Sequence, residues 1–253
     1  MTGRTVTVEA PAKLTLSLRM AGVREDGYHL IDAEMVTLDL HDTLTIDPLS
    51  DGEGCTLTAD GPFSDGMPLD AANLVVRALQ LAGRSARVHV HKVIPHGGGL
   101  GGGSADAAAA LRWAEWTDLV AASRLGADIP FCLVGGRARV RGIGEIIEPL
   151  PFEPLDLTLV IPPLSVSTAA AYRAWDELAA TDPAAAHIGV NELEAAALLV
   201  EPALVGWRAR IVASAGVAPV LAGSGATWFL HGHHPTLAAQ LPDATVVLAR
   251  TTP

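Results

Sequence analysis

The chain has 253 residues, of which 49% are hydrophobic and 18% charged, with a formal net charge of −11. This balance excludes a disordered chain, and the acidic charge disfavours a nucleic-acid or anionic-membrane surface, because both need basic patches. Two cysteines, Cys55 and Cys132, are too few for a disulfide framework. Together with the lack of an apolar leader or membrane-length apolar run, they predict a soluble cytoplasmic protein.

Hydrophobic periodicity predicts both strands and helices in the first 150 residues. A helical pattern spans 73–82, and a second helix should begin at Ser104, with Ser104 as its N-cap and Asp106 in its first turn. Two shorter helices are expected at 118–124 and 129–133. Alternation of apolar and polar residues predicts strands at 5–9, 14–18, 36–46, 56–58, 86–93 and 137–142.

A second domain is predicted beyond a proline-rich segment at 149–156. We place the boundary between residues 154 and 155. The remaining pattern predicts strands at 157–161, 227–232 and 245–249, and helices at 168–180, 191–199 and 201–214. This mixture favours an α/β or α+β protein over a helical bundle or a β-sandwich.

The segment 97–104, Gly-Gly-Gly-Leu-Gly-Gly-Gly-Ser, is the strongest local signal. Bare backbone N–H groups that lead directly into a helix form an anion site, typically for phosphate, and the alternative is a flexible surface turn. A dinucleotide-binding motif fits only weakly, because the segment lies far along the chain. The phosphate-loop pattern of nucleotide hydrolases fails because Gly103 stands where a lysine is required. A cation must therefore come from elsewhere, and the chain offers Lys13, Lys92 or an arginine.

Three other positions suggest chemistry from their residue types alone. Lys13 is either a solvated residue at the end of a strand or a buried cation that binds phosphate or lowers the pKa of a hydroxyl. Asp128, within an otherwise apolar segment, is an N-cap, a proton acceptor for an attacking hydroxyl, or both. Tyr28 and His29 follow a turn, and they either pack in the core or present a stacking face and a polar ring to a nucleobase.

Several segments in one order resemble the GHMP kinase superfamily, and most closely its branch that acts on a cytidylated methylerythritol. They span residues 10–227 and read APAKLTLSL, REDGYH, NLVVRA, IPHGGGLGGGSADAAAAL, LGADIPFCLVGGRARVRGIGE, PLSVSTAAAY, NELE and LAGSGAT. The glycine segment is typical of the whole superfamily. Its combination with DGYH, GADIPF and the STAAAY segment indicates the branch.

The resemblance implies an α+β fold of two domains. Residues 1–154 would form a domain similar to ribosomal protein S5 domain 2, and residues 155–253 a ferredoxin-like domain, with the active site between them. It implies an ATP- and Mg²⁺-dependent kinase that phosphorylates the 2-hydroxyl of 4-diphosphocytidyl-2-C-methyl-D-erythritol in the non-mevalonate route to isoprenoids. The expected partner is this small molecule, without nucleic acid, membrane or a resident metal site, and the chain would be a monomer or homodimer.

The resemblance also implies roles for individual residues. Asp128 would take the hydroxyl proton, while Lys13 would orient Asp128 and stabilise negative charge. Tyr28 and Tyr172 would sandwich the cytosine, and His29 would hydrogen-bond its edge. Thr15 and Thr168 complete the expected substrate site. The expected ATP site comprises Asn73 near the adenine, Asp106 near the phosphates or Mg²⁺, and the loop residues Pro95, Gly97, Gly98, Gly99, Leu100, Gly101, Gly102, Gly103 and Ser104.

The chain departs from the family pattern at a few positions. Thr15 replaces the usual asparagine, Ala105 replaces a common serine, and the segment between 111 and 125 is shorter than usual. Two alternatives therefore accompany the main prediction: a GHMP kinase for another small alcohol, such as a homoserine- or mevalonate-type substrate, and a non-catalytic nucleotide sensor.

Overall fold

The computed structural model describes residues 4–50, 52–95 and 97–253, which form ten strands and nine helices. The first part contains β1 (Val6–Val23), β2 (His29–Pro48), β3 (Cys55–Asp60), α1 (Leu74–Leu81), β4 (Ala86–His91), α2 (Gly102–Trp113), α3 (Leu119–Ser123), α4 (Ile129–Val134), β5 (Arg137–Gly142) and β6 (Ile146–Pro149). The second contains β7 (Asp156–Ile161), α5 (Thr168–Thr181), α6 (Pro183–Ala186), α7 (Glu194–Val200), α8 (Ala203–Ala215), β8 (Val220–Leu221), β9 (Trp228–His231), α9 (Leu237–Gln240) and β10 (Thr245–Thr252).

The first part is built on the long antiparallel pair β1 and β2. β4 and β5 pair antiparallel with successive stretches of β2, β3 lies parallel to β4, and β6 closes the other side on β5. Helix α2 packs against α1, α4 and β1. Its alanines are buried among the apolar strand residues, so the small side chains allow the helix to approach the sheet closely.

The second part is a smaller antiparallel arrangement in the order β10, β7, β9 and β8. The C-terminal strand joins it to the first part, because Thr251 and Thr252 of β10 pair with Leu38 and Thr37 of β2. Trp175 of α5 is buried in the core of the first part. The expected boundary at 154/155 falls in the segment between β6 and β7 and stays a prediction.

The α+β class is confirmed, and most elements lie where the periodicity predicts them. Two predictions about the helix that follows the glycine segment were wrong. Helix α2 begins at Gly102 with Gly101 as N-cap, so Ser104 does not cap it and Asp106 lies beyond its first turn. The predicted strands 5–9 and 14–18 form one continuous strand, β1. Within the described part of the chain, no helix is long and apolar enough to cross a membrane.

Candidate active site

A lysine–carboxylate pair lies at the centre of the candidate site. Lys13 Nζ is 3.2 Å from Asp128 Oδ2, and Lys13 is buried while the Asp128 side chain keeps 33% of its exposure. Asp128 occupies the N-cap position of α4, but its side chain makes no capping bond there. Asp128 therefore lies at the cap position, but its carboxylate contacts the Lys13 ammonium group instead of the backbone of α4.

Strand irregularity places Lys13. The pairing of β1 with β2 shifts between Pro11 and Lys13 and again between Thr15 and Ser17. Lys13 N donates to Leu100 O at 3.0 Å, so the backbone of β1 is tied to the glycine segment. Its ammonium group also donates to Thr15 Oγ1 at 3.2 Å. The threonine that replaces the family asparagine is therefore buried beside the lysine.

The glycines are required by close packing as well as by ligand approach. A Cβ on Gly101, whose φ is +69°, would lie 2.8 Å from Lys13 Cγ, and a Cβ on Gly99 would lie 2.5 Å from Ala222 O. A Cβ on Gly98 would meet Thr227 Oγ1 at 2.8 Å. At these three glycines the segment lies so close to β1 and to the chain around 222–227 that a side chain would clash.

The end of this segment supplies unpaired donors. Because the first N–H groups of a helix have no acceptor within the helix, the backbone of Gly102, Gly103 and Ser104 can bind an anion. Gly103 is exposed, and Ser104 lines the same cavity as Lys13. His96, which precedes the segment, lies outside the described residues.

Asp106 belongs to a buried charge cluster beneath this helix start. Lys92 Nζ donates to Asp42 and, at 2.7 Å, to Asp106 Oδ2, and all three side chains are almost fully buried. Asp42 also accepts a backbone N–H bond from Ile94 at 2.8 Å. Asp106 Oδ1 is buried without a hydrogen-bond partner. Burial raises the pKa of Asp106 to about 7, against the attraction of Lys92.

The cavity around Lys13 has a volume of about 270 Å³ and is lined by both parts of the chain. The first part contributes Thr15, Ser104 and Asp128. The second contributes Thr168, Tyr172 and Ser224, and Thr168 Oγ1 lies 2.9 Å from Ser224 Oγ. Ser224 was given no role from the sequence, although the LAGSGAT segment that contains it was the signal for its place here. A larger cavity of about 570 Å³ against α7 and α8 contains none of these groups.

Two of the three expected base-binding rings meet. His29 and Tyr172 stack with ring centroids 4.7 Å apart, and His29 Nε2 lies 2.7 Å from Asp176 Oδ1. Burial raises the pKa of Tyr172 to about 12, so its phenol is neutral at physiological pH. Tyr28 lies apart in the exposed turn before β2, 58% exposed, with the Arg24 guanidinium over its ring. Asp176 was missed because nothing in its local sequence distinguishes it.

Two residues expected to contact the nucleotide, Asn73 and Pro95, do not line the Lys13 cavity. Asn73 caps α1: its side chain accepts from Val75 N at 2.8 Å and donates to Pro68 O at 2.7 Å. Pro95 lines a separate cavity of about 540 Å³ with Phe63. Helix capping accounts for the asparagine at the start of α1 without a nucleotide contact, so the predicted adenine contact of Asn73 stays a prediction.

Comparison with known proteins agrees with this geometry. The GHMP kinases N terminal domain family matches residues 68–136. A protein of Paracoccus denitrificans called 4-diphosphocytidyl-2-C-methyl-D-erythritol kinase is 41% identical over 235 residues, covering 87% of this chain and 84% of the relative. One of Pelotomaculum thermopropionicum with the same name is 37% identical, covering 97% and 93%.

Solved structures of GHMP kinases share the fold of this chain. A crystal structure of 4-(cytidine 5'-diphospho)-2C-methyl-D-erythritol kinase is 32% identical with a TM-score of 0.74, covering 98% of this chain and all of that one. The mevalonate kinase of L. major has a TM-score of 0.69 at 15% identity, which shows a shared fold alone. The chain belongs to the 4-diphosphocytidyl-2-C-methyl-D-erythritol kinase family of GHMP kinases.

Proposed function

We propose that the chain transfers the γ-phosphoryl group of ATP to the 2-hydroxyl of 4-diphosphocytidyl-2-C-methyl-D-erythritol. The observation that carries this proposal is the Lys13–Asp128 pair, 3.2 Å apart in a cavity that also contains Tyr172. A proton acceptor beside a fixed cation suits phosphoryl transfer to an alcohol, and the relatives carry the name of this reaction.

Asp128 is the proton acceptor in this proposal. Its partial exposure lets a substrate hydroxyl reach the carboxylate, while Lys13 fixes it from the buried side. As the hydroxyl oxygen forms its bond to the γ-phosphorus, the proton passes to Asp128 and the bond to the leaving ADP oxygen breaks. Lys13 stabilises the negative charge that builds up on the reacting oxygens. Because the ammonium group is buried, that stabilisation is weakly screened by water.

The phosphates would lie on the backbone N–H groups at the start of α2, with Ser104 at the edge of the cavity. Mg²⁺ in such sites is held mainly by the substrate phosphates and one or two protein oxygens. The described residues fit this arrangement, because the Ser104 hydroxyl borders the cavity next to the N–H groups that would hold the phosphates. Ser104 Oγ would supply a protein oxygen to the ion, and bound Mg²⁺ would offset phosphate charge.

The alcohol and its cytosine would occupy the side of the cavity formed by β1 and α5. Thr15 and Thr168 supply hydroxyl groups there, and Tyr172 supplies an aromatic face backed by His29. Tyr28 can complete the cytosine sandwich only if its exposed turn folds over the bound base. We therefore expect Tyr28→Ala to raise the KM for the cytidylated alcohol.

The test is ADP release from ATP and Mg²⁺ with the cytidylated alcohol, beside mevalonate and homoserine. Release that depends on the cytidylated alcohol supports the proposal. Asp128→Asn should abolish turnover while sparing ATP binding, and Glu53→Gln in an exposed turn is the matched control. ATP binding without turnover of any alcohol would refute the kinase assignment and favour a sensor. Turnover of mevalonate or homoserine alone would refute the substrate.

A further inference from the structure

The imidazole of His29 is held from three sides. Its ring centroid lies 4.7 Å from that of Tyr172 at an interplanar angle of 33°, and 6.1 Å from a ring of Trp175 at 88°, while Nε2 lies 2.7 Å from Asp176 Oδ1. The imidazole is 15% exposed. The ring therefore has a fixed plane and a fixed orientation beside Tyr172, which lines the Lys13 cavity.

The contact with Asp176 also determines where the ring carries its hydrogen. An ionised carboxylate only accepts hydrogen bonds, so Nε2 must donate. In the neutral imidazole the other nitrogen, Nδ1, then keeps its lone pair and acts as an acceptor. In the part of the chain that the structure describes, Nδ1 meets no hydrogen-bond partner, whereas Nε2 is already occupied. Nδ1 is the polar atom left for a ligand.

We propose that Asp176 is a positioning residue that makes His29 Nδ1 an acceptor for the exocyclic amino group of a pyrimidine, and so sets the preference for cytosine over uracil. The proposal rests on the proposed function for the identity of the base. Cytosine presents an amino donor at ring position 4, where uracil presents a carbonyl acceptor. An acceptor fixed opposite that position pairs with cytosine and faces uracil oxygen with an unmatched lone pair, which costs affinity for the uracil compound.

The first measurement uses the free enzyme and needs no substrate. Nitrogen-15 NMR of the histidine rings, with His29 assigned by His29→Gln, should show a protonated Nε2 and an unprotonated Nδ1 near pH 8. In Asp176→Ala this signature should give way to averaged tautomers, and Asp176→Glu should restore it. A wild-type His29 with its hydrogen on Nδ1 would overturn the proposal.

The second measurement compares the cytidylated alcohol with its uridylated analogue. Asp176→Ala should lower the ratio of their kcat/KM values about tenfold or more, through the KM for the cytidylated compound, with kcat little changed. Asp176→Glu should recover part of the ratio. Glu177→Ala removes the neighbouring exposed carboxylate of α5 and should leave the ratio unchanged.

An unchanged ratio in Asp176→Ala would overturn the proposal. Failure of the proposed function would look different: the wild-type enzyme would leave the cytidylated alcohol unphosphorylated, which removes the base preference, while the nitrogen spectrum still decides whether Asp176 fixes the ring.

Discussion

The buried Lys92 cluster makes a quantitative prediction for Asp106→Asn. One lysine faces two carboxylates, Asp42 and Asp106, and neither is accessible to water. Full ionisation leaves one net negative charge in the interior, which is why burial raises the pKa of Asp106 from 3.8 to about 7. Asparagine keeps an oxygen that can accept from Lys92 and removes the excess charge.

The pH dependence follows from linkage. The folded protein holds a proton on Asp106 that the unfolded chain has released above about pH 4, so the stability from this group is complete below pH 4 and is lost as the pH rises through 7. Integration of the shift gives a loss of roughly 2 kcal/mol by pH 5 and roughly 4 kcal/mol by pH 8. The free energy of unfolding of Asp106→Asn, relative to wild type, should therefore increase by roughly 2–3 kcal/mol between pH 5 and pH 8.

Urea unfolding followed by tryptophan fluorescence, at four pH values from 5 to 8, measures this difference. All other titrating groups are shared by the two proteins, so their contributions cancel in the comparison. Asp65→Asn, an exposed carboxylate, controls for the change in net charge. A difference that stays constant with pH would refute the reasoning, because it would mean that Lys92 fully compensates the burial of both carboxylates.

Three further predictions concern the site and its surroundings. Lys13→Met should lower kcat by roughly 10²- to 10⁴-fold while ATP binding, measured by calorimetry, changes little, and comparable kcat values would remove Lys13 from the chemistry. Gly101→Ala should lower the midpoint of thermal unfolding or kcat, because the new Cβ would lie 2.8 Å from Lys13 Cγ at a φ of +69°. Cys132, whose thiol pKa burial raises to about 12, should resist iodoacetamide at pH 8 in the native protein, whereas half-buried Cys55 should react first by mass spectrometry.

Local pattern predicted the elements well where alternation or helical spacing was regular, and poorly where tertiary packing set the backbone. β1 was predicted as two strands, 5–9 and 14–18, because its pairing shift between Pro11 and Lys13 interrupts the alternation between them. The elements without a prediction are short: β6, α6, β8 and α9 have two to four residues each. Segments of that length contain too few residues to show a period.

The start of α2 shows how packing overrides a local rule. Ser104 is the better N-cap by residue type, but the helix begins at Gly102. A Cβ at Gly102 would lie 3.0 Å from Ile94 Cγ2 and 3.3 Å from Lys92 Nζ, so a residue with a low helix propensity is needed where the helix passes over the buried lysine. The sequence alone contains no signal that Lys92 lies there.

Some residues of the candidate site could be predicted from the sequence, and others could not. Lys13, Asp128 and the glycine segment could be selected from residue type and resemblance, since each belongs to a recognisable motif. Asp42 and Asp176 could not, because each acts through a partner that is distant in the chain: Asp42 is 50 residues from Lys92, and Asp176 is 147 residues from His29. Such partners are defined by the folded arrangement and carry no local pattern.

The segment of Asn191 and Glu192 is one of the connections between the two sides of the cavity. Asn191 donates to Leu221 O at 2.8 Å and Gly223 O at 2.6 Å, and the next residue, Glu192, accepts from Met20 N of β1 at 2.8 Å. Adjacent residues therefore hold β1, which carries Lys13, and the loop that carries Ser224. Because a phosphoryl transfer depends on placing the acceptor hydroxyl in line with the phosphate, we expect this connection to support catalysis by fixing geometry, without any contact with the reacting atoms.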